Sequence, residues 1–358
     1  MIKKLQSWRD IIRRKIGIVL FDRSLKSASS DDGAIVFVRW DAKLGDAIVS
    51  SWVAREIKKK FPGKKVVAIT TPEMRSLFKN QFLFDEVYSI PKRPSYAALA
   101  SLARDIGDVE YLVHLTNEMK MKDIFFISKL SVKNVIGIDD KIKCVNIKIG
   151  HLTKNIHFSQ KFALAVNKIG IDNPDTDYIV PEYLEDESSV KSSWPDNPTI
   201  CFNPYGSGSS RSFNDEKIIE ILKVMLSKPG YNVCLLYPPI KKIETEHNIR
   251  RMPDILRERV ITHDSSHSLG VLFAQIRNSI GIVSVDTATV HIAAGLKKPI
   301  FGIYNDNFGK GENREWLPNF EKAMVMYVDA KKEQNVNYIN MDEFENQFND
   351  WYVQYIAQ

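Results

Sequence analysis

The chain has 358 residues, too many for one ordinary hydrophobic core and enough for two α/β domains. Its 44% hydrophobic and 26% charged content excludes a disordered chain, and no apolar run approaches the roughly 20 residues that cross a bilayer. The net charge of +6 belongs to one segment: residues 1–26 hold Lys3, Lys4, Arg9, Arg13, Arg14, Lys15, Arg23 and Lys26 against Asp10 and Asp22, which leaves the rest neutral and excludes a broad basic face for nucleic acid.

In chain order, Ile2, Leu5, Trp8, Ile12, Ile16 and Val19 fall at steps of three and four, the spacing of an amphipathic N-terminal helix with Lys and Arg beside its apolar stripe. Two settings suit such a helix over residues 2–19: an anionic membrane surface, or the protein's own surface. Amphipathicity alone does not choose between them. No small-residue cleavage site follows a long apolar stretch, so no signal peptide is expected. Residues 27–33 read as a linker, closing a basic extension over 1–33.

Ala34–Arg39 is a β-branched run typical of a buried parallel strand. A helix is expected over Asp46–Lys60, then a strand over Lys65–Thr70, which makes a βαβ unit. Further strands are expected over Glu86–Ile90, Val109–His114 and Asn134–Ile138. These elements place a first Rossmann-like domain over 34–175, and the Pro-, Asp- and Ser-rich stretch 176–198 reads as an interdomain linker. A second Rossmann-like domain is expected over 199–340. Its strands are Thr199–Asn203, Tyr231–Leu236, Ile280–Val285 and Pro299–Tyr304, and its helices Asp215–Leu226, Leu269–Asn278 and Thr287–Leu296. The end of the chain, 341–358, reads as a helix packed back across both halves. Cys144, Cys201 and Cys234 are odd in number and set in apolar runs, so buried free thiols in a reducing cytoplasm are expected.

Three loops of this pattern carry residues suited to chemistry. Ser284–His291 joins an apolar strand to a helix whose first N–H groups and dipole suit a diphosphate. Asp286 repels phosphate, so its expected role is an N-cap or a contact to a sugar hydroxyl, while His291, inside the first turns, lies where a phosphate or ribose would be reached. Phe202–Phe213 also follows a strand. There Gly206 and Gly208 permit close backbone approach, Ser207 offers a hydroxyl and Arg211 a fixed cation, a set able to hold a pyrophosphate leaving group without magnesium. In the first half, Arg39–Val49 brings Gly45 and Asp46 to a helix start. A transferase that displaces a nucleoside diphosphate needs one base for the acceptor hydroxyl and no partner acid, so a single carboxylate suffices. Asp46 is the candidate and Asp41 its runner-up. A capped helix or a plain Gly/Ser loop explains each segment alone; their joint occurrence is what points to chemistry.

Together the three segments resemble the ADP-heptose:lipopolysaccharide heptosyltransferase family, glycosyltransferase family 9, over residues 34 to 305. The resemblance implies a GT-B fold, two Rossmann-like parallel-sheet domains facing across a cleft. It also implies an enzyme that inverts while moving heptose from ADP-heptose to the lipopolysaccharide core, with no metal or other cofactor; the buried thiols and the basic N-terminal helix add the expectation of a cytoplasmic protein, peripheral on the inner membrane. It assigns the catalytic aspartate to Asp46, and the donor contacts to Ser207, Arg211, Asp286, Thr287 and His291. Ala288, Arg211 and Phe213 stand where the family usually has glycine, lysine and tryptophan. Another donor such as UDP-N-acetylglucosamine, or a non-catalytic scaffold, is the alternative.

Other candidates follow from position. Lys120 and Lys122, after a strand, suit phosphates of an acceptor core sugar, with a solvated loop as the plain alternative. His263 and His267 lie where a base would rest, and Glu244 and Glu246 where a ribose would be held. Asp175-Thr-Asp177 is a D-x-D triplet with no strand before it, and reads as linker and not as a metal site.

Overall fold

The computed structural model describes residues 2–25, 32–40, 43–264, 268–306, 314–328 and 334–357. Most of the 27–33 linker, the runner-up base Asp41 and His267 lie outside the described residues. The chain divides into two compact units, Met1–Asp177 and Tyr178–Gln358.

The first unit is one parallel sheet of β1 (Ala34–Arg39), β2 (Val66–Thr70), β3 (Glu86–Ser89), β4 (Asp108–His114), β5 (Ser131–Gly137) and β6 (Ile147–Lys148), in the order β3-β2-β1-β4-β5-β6. Every residue of β1 and β2 is buried, as expected of strands covered on both faces. The helices are α1 (Ile2–Phe21), α2 (Leu44–Val49), α3 (Val53–Lys60), α4 (Arg75–Asn80), α5 (Tyr96–Ile106), α6 (Met121–Lys129) and α7 (Phe158–Lys168). The helix expected over Asp46–Lys60 is broken in two. At the break the Ser50 hydroxyl donates to the Asp46 and Ala47 carbonyls, and the amides of Ser50 and Ser51 bond three residues back. This tight turn carries the fully buried Trp52, whose indole N–H donates to Ser159 Oγ on α7 at 3.0 Å.

Helix α1 docks on α6 by one side. Arg14 forks onto the Asp139 carboxylate at 2.7 and 3.1 Å and onto the Met119 carbonyl, and Phe21 meets Phe125 edge-on at 5.1 Å. Gly17 permits the approach, since a Cβ there would stand 2.8 Å from the Met121 backbone. Just past the helix, Asp22 accepts the backbone N–H groups of Lys143 and Cys144 at 2.9 and 2.8 Å. Burial, with Asp22 beside it, pushes the Cys144 thiol up to about 12. All three cysteines are free and buried, as their settings predict. No helix among the described residues is long and apolar enough to cross a membrane.

The second unit repeats the plan with β7 (Thr199–Asn203), β8 (Asn232–Leu235), β9 (Val260–Ile261), β10 (Gly281–Val285), β11 (Ile300–Asn305) and β12 (Ala323–Val328), ordered β12-β11-β10-β7-β8-β9 and parallel throughout. Its helices are α8 (Leu184–Ser192), α9 (Asp215–Leu226), α10 (Lys242–Arg250), α11 (Asp254–Arg257), α12 (Leu269–Asn278), α13 (Ala288–Gly295) and α14 (Met341–Tyr355). Part of the stretch read as linker is thus the helix α8, held to α12 by Glu187 with Arg277 at 3.0 Å. The D-x-D triplet is tied to α3, where Arg55 pairs with the Asp175 carboxylate at 3.1 Å and Glu56 accepts the Asp175 N–H. Helix α14 buries Phe344, Phe348 and Trp351 completely against Phe301, in the core of the second unit.

In each sheet the first strand of the unit lies between two others, and the chain runs out to one edge before returning to fill the other. The carboxyl ends of β1 and β4, and of β7 and β10, are therefore the topological switch points, where loops diverge and open α/β sheets take their ligands.

Candidate functional site

At the first switch point β1 ends in Arg39, a buried cation whose guanidinium lies 5.1 Å from the Phe162 ring and 5.7 Å from that of Phe158. It donates to the Asp46 carbonyl at 2.9 Å and stands 4.0 Å from the Asp46 carboxylate. Asp46 is the third residue of α2, with Gly45 before it, and its Oδ2 accepts the Lys43 N–H at 3.1 Å. Its side chain keeps 26% exposure, so this carboxylate is oriented by backbone and cation while open to a solute.

The neighbouring strand β4 ends in His114, which sequence reasoning passed over. Its ring is buried, 3.3 Å from Asp123 Oδ1 and edge-on to Trp40 at 5.5 Å. Asp123 in turn accepts the Lys120 N–H at 2.6 Å and so fixes the start of α6. The one available signal was a histidine closing a strand; its neighbour β1 and its partner Asp123 become visible only with the sheet order. Of the two acceptor candidates, Lys120 is exposed at that helix start. Lys122 is turned aside, donating to the Pro94 carbonyl and lying 5.5 Å from the Tyr96 ring.

At the second switch point the loops after β7 and β10 meet. Arg211 Nη1 stands 3.2 Å from Asp286 Oδ2, joining two candidates 75 positions apart in one ion pair. Arg211 is about half exposed. Asp286 is not the helix cap: that position belongs to Thr287, in extended backbone, whose side chain makes no capping bond to α13. Thr287 and the first N–H groups of α13 therefore mark the end suited to an anion. The loop after β7 depends on its glycines. A Cβ on Gly206 would come within 2.4 Å of the Arg211 carbonyl, and Gly208 has φ +96°, in the left-handed region. Ser207 is exposed between them.

Beneath the two loops lies a buried polar cluster that the sequence did not suggest. Asn203, the last residue of β7, donates to Thr289 Oγ1 at 3.1 Å and to Ser284 Oγ at 3.4 Å, and those two hydroxyls share a hydrogen bond of 2.7 Å. His291 is only 4% exposed, four positions into α13, with Trp316 edge-on at 6.1 Å; it is part of the floor and not of the open surface. Elsewhere, His263 is covered by Trp194, stacked at 5.5 Å, while on α10 Glu244 pairs with Lys241 and Glu246 with Arg250.

Burial pushes the Asp286 carboxyl up from its ordinary value, with Arg211 opposing the shift. A carboxyl whose folded pKa is raised binds its proton more readily folded than unfolded, so the stability it adds is fully present below the unfolded pKa and is lost as pH rises through the folded one. Wild type is thus expected to gain stability relative to Asp286→Asn on acidification from pH 7 to pH 4. Parallel melting curves across that range check it; a difference constant in pH would refute it.

The model of glycosyltransferase family 9 (heptosyltransferase) matches residues 99–341. Among solved structures, a family 9 glycosyl transferase from Veillonella parvula aligns with TM-score 0.70 and 14% identity, covering 92% of this chain and 100% of that one. The E. coli ADP-heptose lipopolysaccharide heptosyltransferase II aligns with TM-score 0.62 and 15% identity, over 89% and 99% of the two chains. A second E. coli heptosyltransferase, solved with ADP, aligns with TM-score 0.64 and 13% identity, again over 89% and 99%. At such identities the likeness is one of fold. Curated protein sequences give no match. With a family model spanning well over half of its length and the paired parallel sheets of the same architecture, this chain belongs to glycosyltransferase family 9, the heptosyltransferases, and is a glycosyltransferase.

Proposed function

We propose that this glycosyltransferase moves a heptose from ADP-heptose to the core oligosaccharide of lipopolysaccharide, with inversion and without a metal ion. The observation that carries the donor assignment is the Arg211–Asp286 pair at the second switch point, beside the start of α13, where the Thr287 side chain makes no capping bond. Arg211 is held where a diphosphate would compete with Asp286 for its guanidinium, and the helix start adds N–H groups for the same anion. The E. coli relative solved with ADP supports adenine as the base. Asp46 takes the proton of the acceptor hydroxyl, the acceptor oxygen bonds to the anomeric carbon from one face, and the bond to ADP breaks on the other. The diphosphate departs as an anion that Arg211 and α13 stabilise, so no acid is needed. Ser207 and Thr287 complete the donor side in this reading, with His291 in the floor beneath them, and Lys120 serves the acceptor side.

The test is nucleotide-dependent stability followed by transfer. A ligand at about 100 times its Kd adds roughly 2.7 kcal/mol, so saturating ADP is expected to raise the melting temperature measurably while UDP does not. Incubation with ADP-heptose and heptose-free core lipid is then expected to add one heptose by mass spectrometry. Stabilisation by UDP alone would move the donor to a uridine sugar, for which Ala288 in place of glycine at the head of α13 would be the first residue to suspect.

A further inference from the structure

Helix α1 is anchored on one side, and its other side is unlike the surface of an ordinary docked helix. With 3.6 residues per turn, Arg14, Gly17, Ile18 and Phe21 face α6 and the first unit's core, and the opposite side is led by Trp8, Ile12 and Val19. These three are 70%, 46% and 82% exposed, with Ile11, Ile16 and Leu20 on the shoulders also near half exposed. A surface helix normally turns its apolar stripe to the core; here the stripe is turned to water while a bidentate ion pair holds the helix in place. Arg9 and Arg13 border the apolar row, and Lys15 falls within it, all exposed.

We propose that this outer side of α1 is a docking surface for an anionic lipid bilayer, with the helix lying flat in the headgroup layer. The charge pattern selects this occupant. A second copy of the chain would set Arg9, Arg13 and Lys15 against their equals, a like-charge contact that disfavours a symmetric dimer. A protein groove that buried Trp8, Ile11 and Val19 would bury Lys15 among them without a partner. At a membrane interface the lysine extends its methylenes along the apolar layer and keeps its ammonium among the phosphates. The proposal stands apart from the reaction assigned above, since it concerns residues outside the candidate site and is read by lipid binding alone.

Vesicle flotation of the full chain tests it. Binding to phosphatidylglycerol vesicles is expected, with little to phosphatidylcholine and a decline as salt is raised. Trp8→Ser with Val19→Ser is expected to lower partitioning at least tenfold at an unchanged melting temperature, because both side chains are exposed. Arg9→Gln and Arg13→Gln, also on the surface, are each expected to cost roughly fivefold. Flotation of the Trp8/Val19 variant equal to wild type would overturn the proposal. So would a concentration-dependent dimer, seen by light scattering without lipid and abolished by that variant, in a protein that fails to float.

Discussion

Replacing Asp46 with asparagine is expected to lower kcat for sugar transfer by about 10² to 10⁴-fold, the range of a lost general base, while donor affinity stays within about twofold. The substitution keeps the size of the side chain and leaves an oxygen to accept the Lys43 N–H that now bonds Oδ2 at 3.1 Å, so the start of α2 should persist. What it removes is the negative charge 4.0 Å from the Arg39 guanidinium and, on the proposed mechanism, the site for the acceptor's proton. Arg39 retains its 2.9 Å bond to the Asp46 carbonyl and its place over Phe162. Steady-state kinetics at saturating acceptor, with ADP binding measured separately, check the split. Near-normal turnover would remove Asp46 from the chemistry and reopen the search for the base.

The largest effect on stability is expected from Trp351→Ala on α14. This fully buried indole packs on Phe301 at 6.0 Å and Phe348 at 5.7 Å, and truncating such a side chain costs about 3–5 kcal/mol through lost burial and the cavity left behind. In a unit of this size that is roughly 6–20 °C in the transition of the second unit, readable by calorimetry. Trp351→Phe is expected to be far milder. Its indole N–H is buried without a hydrogen-bond partner, an arrangement that costs about 1–3 kcal/mol, so removing it offsets much of the lost contact. Equal losses in the two variants would mean that this nitrogen finds a partner in solution.

These residues also show how far a sequence alone reaches. Strands such as Ala34–Arg39 and helices such as Asp215–Leu226 were legible to the residue, because continuous β-branched burial and a clean helical period are local properties. Strand β12, Ala323–Val328, was missed: it lies at the sheet edge and is only partly buried, so the apolar signal is diluted. The break after Val49 was missed because a serine that bonds back to carbonyls looks, in sequence, like any helix residue. Of the site, the loops were legible from glycines at strand ends. The relations between them were not: the Arg211–Asp286 pair and the His114–Asp123 contact are set by sheet order, and nothing in the intervening residues announces it. Asp286 was expected as a cap or a sugar-hydroxyl contact; the cap position falls to Thr287, and Asp286 pairs with Arg211.

The buried Asn203–Ser284–Thr289 cluster has a consequence for how the donor is met. Because these three side chains bond one another across the ends of β7 and β10, the backbones that carry the two loops take their mutual position when the unit folds. The entropy of bringing them together is then lost at folding, so on the proposed reading a sugar nucleotide would have the exposed Ser207 and Arg211 left to immobilise and not the strand ends. A preorganised base beneath adjustable tips would let the tips change with the ligand they meet while the base stays as it is.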